Sequence, residues 1–183
     1  MRKLLRESGA LREGHFELSS GLHSSGYVQC ALLLELPARA RQVGEWLASR
    51  LAAHGPDSVL SPALGGLIIG HETAASLGVP FRFVERREGS FTLRRGFHLQ
   101  AGERVAVVED VVTTGRSTQE AASVARGLGA EVVAFGAIVD RGTGSGFNAP
   151  FEALLRLDLP AWEAAACPLC ARGTDTESPG SRR

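Results

Sequence analysis

The sequence predicts an α/β protein built on a central, mostly parallel sheet flanked by helices. Three observations carry this. Apolar runs at 58–60, 104–109 and 131–139 are separated by amphipathic stretches at 66–77 and 117–128. Strands that alternate with helices need crossover connections, so neighbouring strands run parallel. The run Val105-Ala106-Val107-Val108 is apolar at successive positions rather than at alternate ones, as in a strand covered on both faces. A chain of 183 residues, 44% hydrophobic and 22% charged, is also able to bury one such core.

The elements follow in order. Residues 2–13 are expected to form a first helix, after which Ser19-Ser20-Gly21 and Ser24-Ser25-Gly26 interrupt the pattern. Tyr27-Val28-Gln29-Cys30 reads as a short strand. Residues 37–53 read as a helix, with Pro37 in the first turn and Val43, Trp46, Leu47 and Leu51 at helical spacing. A strand at 58–60 leads into Ser61-Pro62-Ala63-Leu64-Gly65-Gly66, then a helix over 66–77 and a strand over 80–84. Residues 85–103 are polar and rich in Gly and Arg. That is long for a structureless connector and suggests a functional flap or hairpin. The strand 104–109, the helix 117–128 (Ala121, Ala122, Val124, Ala125 and Leu128 toward its packed side) and the strand 131–139 complete the core. The polar tail 171–183 is expected to fray. There is no internal repeat.

Charge and composition exclude several function classes. Lys+Arg and Asp+Glu are both 20, so nothing favours a polyanion as the main partner. Residues 1–57 contain no helix-turn-helix with a basic recognition helix. No run of 18 apolar residues offers a membrane span, and the N-terminus lacks an apolar signal core, so a cytoplasmic protein is expected. Lys3 is the only lysine, so active-site cations elsewhere must be Arg or His. Cys30, Cys167 and Cys170 do not make a disulfide framework. Cys167-Pro-Leu-Cys170 has knuckle spacing but supplies half of a tetrahedral zinc site. His15, His23, His54 and His71 show no metal-ligand spacing, so buried thiols or a redox pair are the expectation.

The segment that carries chemistry is Val107-Val108-Glu109-Asp110-Val111-Val112-Thr113-Thr114-Gly115-Arg116-Ser117-Thr118. A buried strand delivers two acids to its C-terminal end, and in parallel sheets ligands sit at that end. A hydroxyl-rich turn containing Gly115 follows, and then a helix begins. Backbone N–H groups of such a turn and of a helix N-terminus favour a phosphate. The acids can accept hydrogen bonds from ribose hydroxyls. An ordinary strand–helix junction has no use for two acids beside a buried strand. There is no Walker A loop and no G-x-G-x-x-G at a strand–helix junction. Gly142-Thr143-Gly144-Ser145-Gly146 precedes Phe147-Asn148-Ala149-Pro150, a poor helix start, and reads as a flexible loop.

This run resembles the motif with which type I phosphoribosyltransferases bind 5-phosphoribosyl-1-diphosphate (PRPP). More of the chain is similar to the orotate branch of that family. Phe16-Glu17-Leu18-Ser19-Ser20-Gly21-Leu22-His23-Ser24 with Tyr27 looks like its N-terminal signature. Residues 61–66 sit where the family has its pyrophosphate loop, Asp140-Arg141 where it has an arginine on the orotate carboxylate, and 179–182 resemble the ending of some members. The resemblance implies transfer of phosphoribose from PRPP to orotate through an oxocarbenium-like state, with Mg²⁺ carried mainly by PRPP rather than by protein ligands.

The resemblance also implies residue roles. Glu109, Asp110 and Arg87 would be catalytic. Leu64, Gly65, Arg86, Arg87, Glu109, Asp110, Val111, Val112, Thr113, Thr114, Gly115, Arg116 and Ser117 would bind PRPP, and Thr113 and Arg141 would contact orotate. The Ala63–Leu64 peptide would be cis. The single domain 1–183 would comprise a base-binding hood (1–36), an α/β core (37–170) with the flap at 85–103, and the tail. The flap would be lent across a homodimer. This chain departs from the family in having Ser19 where many members have lysine, and in a flap without lysine. Arg86 and Arg87 align best with the family's basic pair; Arg94, Arg95 and His98 align less well, and a solvated basic hairpin or a structural histidine would account for them. A surface pair with Asp140 would also account for Arg141. Two other readings stay open: the same chemistry on a purine base, and a non-catalytic PRPP-sensing regulator.

Overall fold

The computed structural model describes residues 1–18, 20–142 and 146–179. Ser19, the middle of the glycine-rich loop (residues 143–145) and the terminal resemblance from residue 180 on lie outside the described residues. The chain forms two compact units. One comprises Met1–Leu33 together with the chain from Asp158 on; the other is Leu34–Leu157. These boundaries differ from the hood, core and tail drawn from the sequence, because residues 158–170 join the N-terminal unit.

The first unit opens with helix α1 (Arg2–Glu7), which is shorter than the expected 2–13. Gly9 adopts φ +71, a conformation that favours glycine and ends a helix. The chain then turns into strand β1 (Leu11–Glu17), antiparallel to β2 (His23–Val28). Cross-strand pairing and burial of Leu11 and Phe16 outweigh the helical pattern of residues 8–13. Ser24-Ser25-Gly26 lies inside β2 rather than interrupting it. Cys30, expected to end a strand, begins helix α2 (Cys30–Leu34).

In the second unit, helix α3 (Pro37–Leu51) buries Val43, Leu47 and Leu51 but leaves Trp46 at its margin, 39% exposed. Then follow β3 (Ser58–Pro62), α4 (Gly66–Leu77), β4 (Phe81–Arg87), β5 (Ser90–Leu93), β6 (Arg104–Val112), α5 (Arg116–Gly127), β7 (Glu131–Asp140) and β8 (Phe151–Arg156). The six strands are ordered β5-β4-β3-β6-β7-β8. All neighbours are parallel except β4 and β5, which form the hairpin suggested for residues 85–103. The strand β8 was not foreseen: its sequence, FEALLR, is short and carries charge at both ends, while its partner β7 is buried almost throughout.

Alternate residues of the strands serve opposite faces. Val105, Val107 and Phe135 pack with Ala121, Ala122 and Ala125 of α5. Val108 and Gly136 instead approach Leu47 and Leu51 of α3. Leu128, just past α5, is exposed rather than packed. At the base of the sheet, Glu103 accepts hydrogen bonds from Arg82 (2.5 Å), Ser58 (2.5 Å) and the Gln100 N–H (2.9 Å). Burial pushes its carboxyl up, but these donors together hold it below the usual range. Among the described residues, no helix is long and apolar enough to cross a membrane.

The chain returns to the first unit through β9 (Ala161–Trp162), which pairs with β2. Of the tail expected to fray, the described part up to residue 179 is tied down at Glu177. The Glu17 N–H donates to the Glu177 carbonyl and the Glu177 N–H to the His15 carbonyl, both at 2.9 Å. Arg12 grips the Glu177 carboxylate with two hydrogen bonds, at 2.8 and 2.6 Å. Backbone pairing to the exposed side of β1 stabilises a segment whose composition alone reads as tail.

Candidate active site

The order of the sheet determines where the site lies. Successive connections run to opposite sides of β3, so β3 and β6 part at their C-terminal ends, where a crevice opens. Two loops leave the sheet at that end: residues 63–65 before α4, and residues 113–115 before α5. The Ala63–Leu64 peptide is cis, as expected. Leu64 projects into solvent, 82% exposed.

Glu109 and Asp110 lie near the end of β6, followed by Val111 and Val112 as its last residues. Thr113 and Thr114 form the turn, and Gly115 occupies the position before α5 with φ +72, where a side chain would be strained. Arg116 and Ser117 start the helix. The first N–H groups of a helix have no intrahelical acceptor; Gly115 at the cap position supplies no side chain, and the Arg116 N–H donates to Thr114 Oγ1 at 3.4 Å. These N–H groups, the turn and Thr118 line a pocket of about 160 Å³, together with Glu109. An open helix N-terminus with surrounding hydroxyls suits a phosphate.

The two acids crowd the start of α4. A Cβ on Gly65 would lie 2.6 Å from Asp110 Oδ1, and one on Gly66 would lie 2.9 Å from the Val108 carbonyl oxygen and 3.3 Å from Glu109 Oε1. Glycine therefore brings the loop before α4 against the carboxylates. The Val111 N–H donates to Asp110 Oδ1 at 2.8 Å. Burial, and then the charge of Asp110, push the Glu109 carboxyl up to about 9. Burial raises Asp110 as well. At neutral pH Glu109 thus holds its proton, and the site carries less negative charge than two free acids would.

Arg141 follows β7, and its N–H donates to the Val112 carbonyl at 2.9 Å. That bond places it beside Thr113. Its guanidinium is held below the usual arginine range by burial. The Asp140 carboxylate accepts the Gly142 N–H at 2.8 Å.

The hairpin arginines divide into groups. Arg94 and Arg95 both pair with Glu85, at 3.0 and 2.9 Å, inside the hairpin. Arg86 pairs with Glu120 of α5 at 2.6 Å and lies over the Phe91 ring. Arg87 is exposed, with Glu88 at 3.6 Å, and His98 is exposed too. Glu120, which sequence reading did not single out, also accepts Arg116 Nε at 2.9 Å. It ties the hairpin to the start of α5. The four-residue spacing from Arg116 was its only local signal.

Comparison with known proteins agrees with this geometry. Residues 31–149 match the model of the phosphoribosyl transferase domain. An orotate phosphoribosyltransferase of Thermotoga maritima is 49% identical over 183 residues, covering 100% of this chain and 98% of that protein. This chain belongs to the orotate phosphoribosyltransferase family. A family member from Nitratiruptor is 46% identical over 98% of this chain and 97% of its own. Among solved structures, orotate phosphoribosyltransferase from Aeropyrum pernix aligns with a TM-score of 0.72 and 29% identity, over 85% of this chain and 92% of that one. The family's α/β fold, with its parallel sheet and flanking helices, is the one described above.

Proposed function

We propose that this chain transfers the 5-phosphoribosyl group of PRPP to a ring nitrogen of orotate, forming orotidine 5′-monophosphate and diphosphate in pyrimidine nucleotide synthesis. The observation that carries this reading is the meeting of three parts at one crevice: the open N-terminus of α5, the acid pair on β6, and Gly65 against Asp110. The names of the full-length relatives support orotate as the base.

In this reading residues 113–117 hold the 5′-phosphate through backbone N–H groups and hydroxyls. Glu109 and Asp110 accept the ribose hydroxyls and face the ribose as its anomeric carbon becomes cationic. The bond from that carbon to the diphosphate oxygen breaks, and the electron pair leaves with the diphosphate. The carbon–nitrogen bond to orotate then forms, and the proton of that ring nitrogen passes to solvent. Leu64 and Gly65 offer backbone to the diphosphate. Arg141 makes a bidentate contact with the orotate carboxylate, whose planar geometry it matches, and Thr113 touches the base. Catalysis is then mainly positioning and electrostatic stabilisation.

Mg²⁺ fits this site as a companion of PRPP. The side-chain donors at the crevice are carboxylate and hydroxyl oxygens, which suit a hard cation. When bound, it would offset diphosphate charge. Arg86 and Arg87, in place of the family's lysines, supply further positive charge from the hairpin. We take the hairpin to serve the neighbouring subunit of a homodimer, which suits the exposure of Arg87.

The test is loss of orotate absorbance in the ultraviolet, with adenine, guanine and uracil in parallel. Consumption of orotate that requires both PRPP and Mg²⁺ is expected. Turnover of another base instead would overturn the orotate assignment, and PRPP binding without any turnover would point to a regulator.

A further inference from the structure

The first unit brings together four side chains that the reaction does not use. They are His15 on β1, His23 at the start of β2, and Cys167 and Cys170 after β9. One ligand atom from each lies within 4.8 Å of the others, and all but Cys170 are buried. The expectation of an incomplete zinc site was therefore wrong in one respect. The second pair of ligands exists, but it stands about 150 residues away in sequence, in the two histidines of a β-hairpin.

We propose that His15 Nε2, His23 Nδ1, Cys167 Sγ and Cys170 Sγ bind one structural zinc ion. The distances fit. His15 Nε2 is 3.4 Å from Cys167 Sγ and 3.6 Å from Cys170 Sγ, and His23 Nδ1 is 3.2 Å from Cys170 Sγ. Tetrahedral zinc, with Zn–N about 2.0 Å and Zn–S about 2.3 Å, separates nitrogen from sulfur by roughly 3.5 Å. The two nitrogens stand at 2.8 Å, and a small adjustment opens them to the roughly 3.3 Å that the same geometry requires.

Hydrogen bonding alone does not account for the cluster. His15 Nδ1 lies 2.9 Å from the Thr174 carbonyl. A carbonyl only accepts, so Nδ1 carries the proton and Nε2 of a neutral ring has a single lone pair. Three groups converge on that lone pair: His23 Nδ1, Cys167 Sγ and Cys170 Sγ. A cation at their centre satisfies all four at once. The bond to Thr174 is also the kind of outer contact that fixes the tautomer and orientation of a metal-bound histidine.

Ligand chemistry selects the metal. Two thiolates and two imidazoles in tetrahedral array favour zinc. Four protein ligands leave no open position, so the site is structural rather than catalytic. Binding replaces two thiol protons, which pass to solvent. The ion would fasten the segment 167–178 to the β1–β2 hairpin, reinforcing the Glu177 backbone bonds described above.

The experiment is metal analysis of the full-length protein, purified under reducing conditions and dialysed against zinc-containing and then zinc-free buffer. One tightly held zinc per chain is expected. Cobalt replacing it should show the intense visible bands of a tetrahedral thiolate site. Cys170→Ser, at an exposed position, should weaken zinc binding by about 100-fold or more in competition with a chromophoric chelator; Cys30→Ala should leave it unchanged. Stripping the metal should lower the Tm of the unaltered protein by roughly 10 °C, and that of Cys170→Ser far less. Protein that retains no zinc, gives octahedral cobalt spectra, or binds metal equally after Cys170→Ser would overturn the proposal. So would a Cys167–Cys170 disulfide in metal-free protein purified without reductant and still resistant to heat.

Discussion

Gly65 and Asp110 meet so closely that a Cβ on Gly65 would stand 2.6 Å from the carboxylate oxygen Oδ1. This contact joins the loop before α4 to the acid pair of β6. The backbone of Gly65 is itself helical, with φ −56, so an alanine there is not strained in conformation. It acts by pushing the carboxylate aside. Gly65→Ala is expected to lower kcat/KM for PRPP by about 100-fold, the scale of a misplacement near 1 Å, while costing only about 1–3 kcal/mol of stability. Steady-state kinetics and denaturant unfolding on the same preparation check both parts.

The buried Glu109 makes stability depend on pH. Below its unfolded value of 4.5, the carboxyl is neutral in the folded and unfolded chains alike. Above 4.5 the unfolded chain ionises, while the folded chain keeps its proton up to about 9. Stability from this group is thus present at low pH and lost as pH rises across that window. Asp110 acts in the same direction. Glu109→Gln should therefore melt higher than the unaltered protein at pH 8, and the gap should close toward pH 4.5. Calorimetry of the ligand-free proteins across this range is the check.

Arg141 is expected to govern the choice of base. Arg141→Ala should raise KM for orotate by about 100-fold, the scale of losing a bidentate charged contact. PRPP affinity should change little, since the pocket proposed for its phosphate lies on the other loop. Isothermal titration with PRPP and kinetics with orotate separate the two effects.

The hairpin arginines should behave differently from one another. Arg87→Ala is expected to reduce kcat by about 100-fold through loss of charge near the diphosphate. Arg94→Ala and Arg95→Ala remove exposed pairs with Glu85 and should change stability by less than about 1 kcal/mol. If the hairpin serves the neighbouring subunit, mixing Arg87→Ala with Asp110→Asn chains should restore activity through one intact hybrid site. Verified heterodimers without recovery would mean that each subunit serves itself.

Much of the second unit was legible because its signals are local. The apolar runs at 104–109 and 131–139 reflect strands buried on both faces, and helix 66–77 agrees with α4 to the residue. The acid pair and the hydroxyl-rich turn were legible for the same reason, since strand, acids, Gly115 and helix start are contiguous. The errors fell where pairing partners are distant. Residues 11–13 joined β1 because β2 lay ready to pair with them, and residues 174–178 are ordered by β1.

The sequence by itself determined the parallel sheet, the acid pair at the end of β6 and the hydroxyl-rich turn beside it, because each follows from the period of apolar residues or from the chemistry of adjacent ones. Only the tertiary structure decided which hairpin arginine turns to Glu120 and which to Glu85, that Gly65 abuts Asp110, and that His15 and His23 face Cys167 and Cys170. Those relationships join side chains far apart along the chain, and their geometry depends on how folded elements pack rather than on any pattern between neighbours.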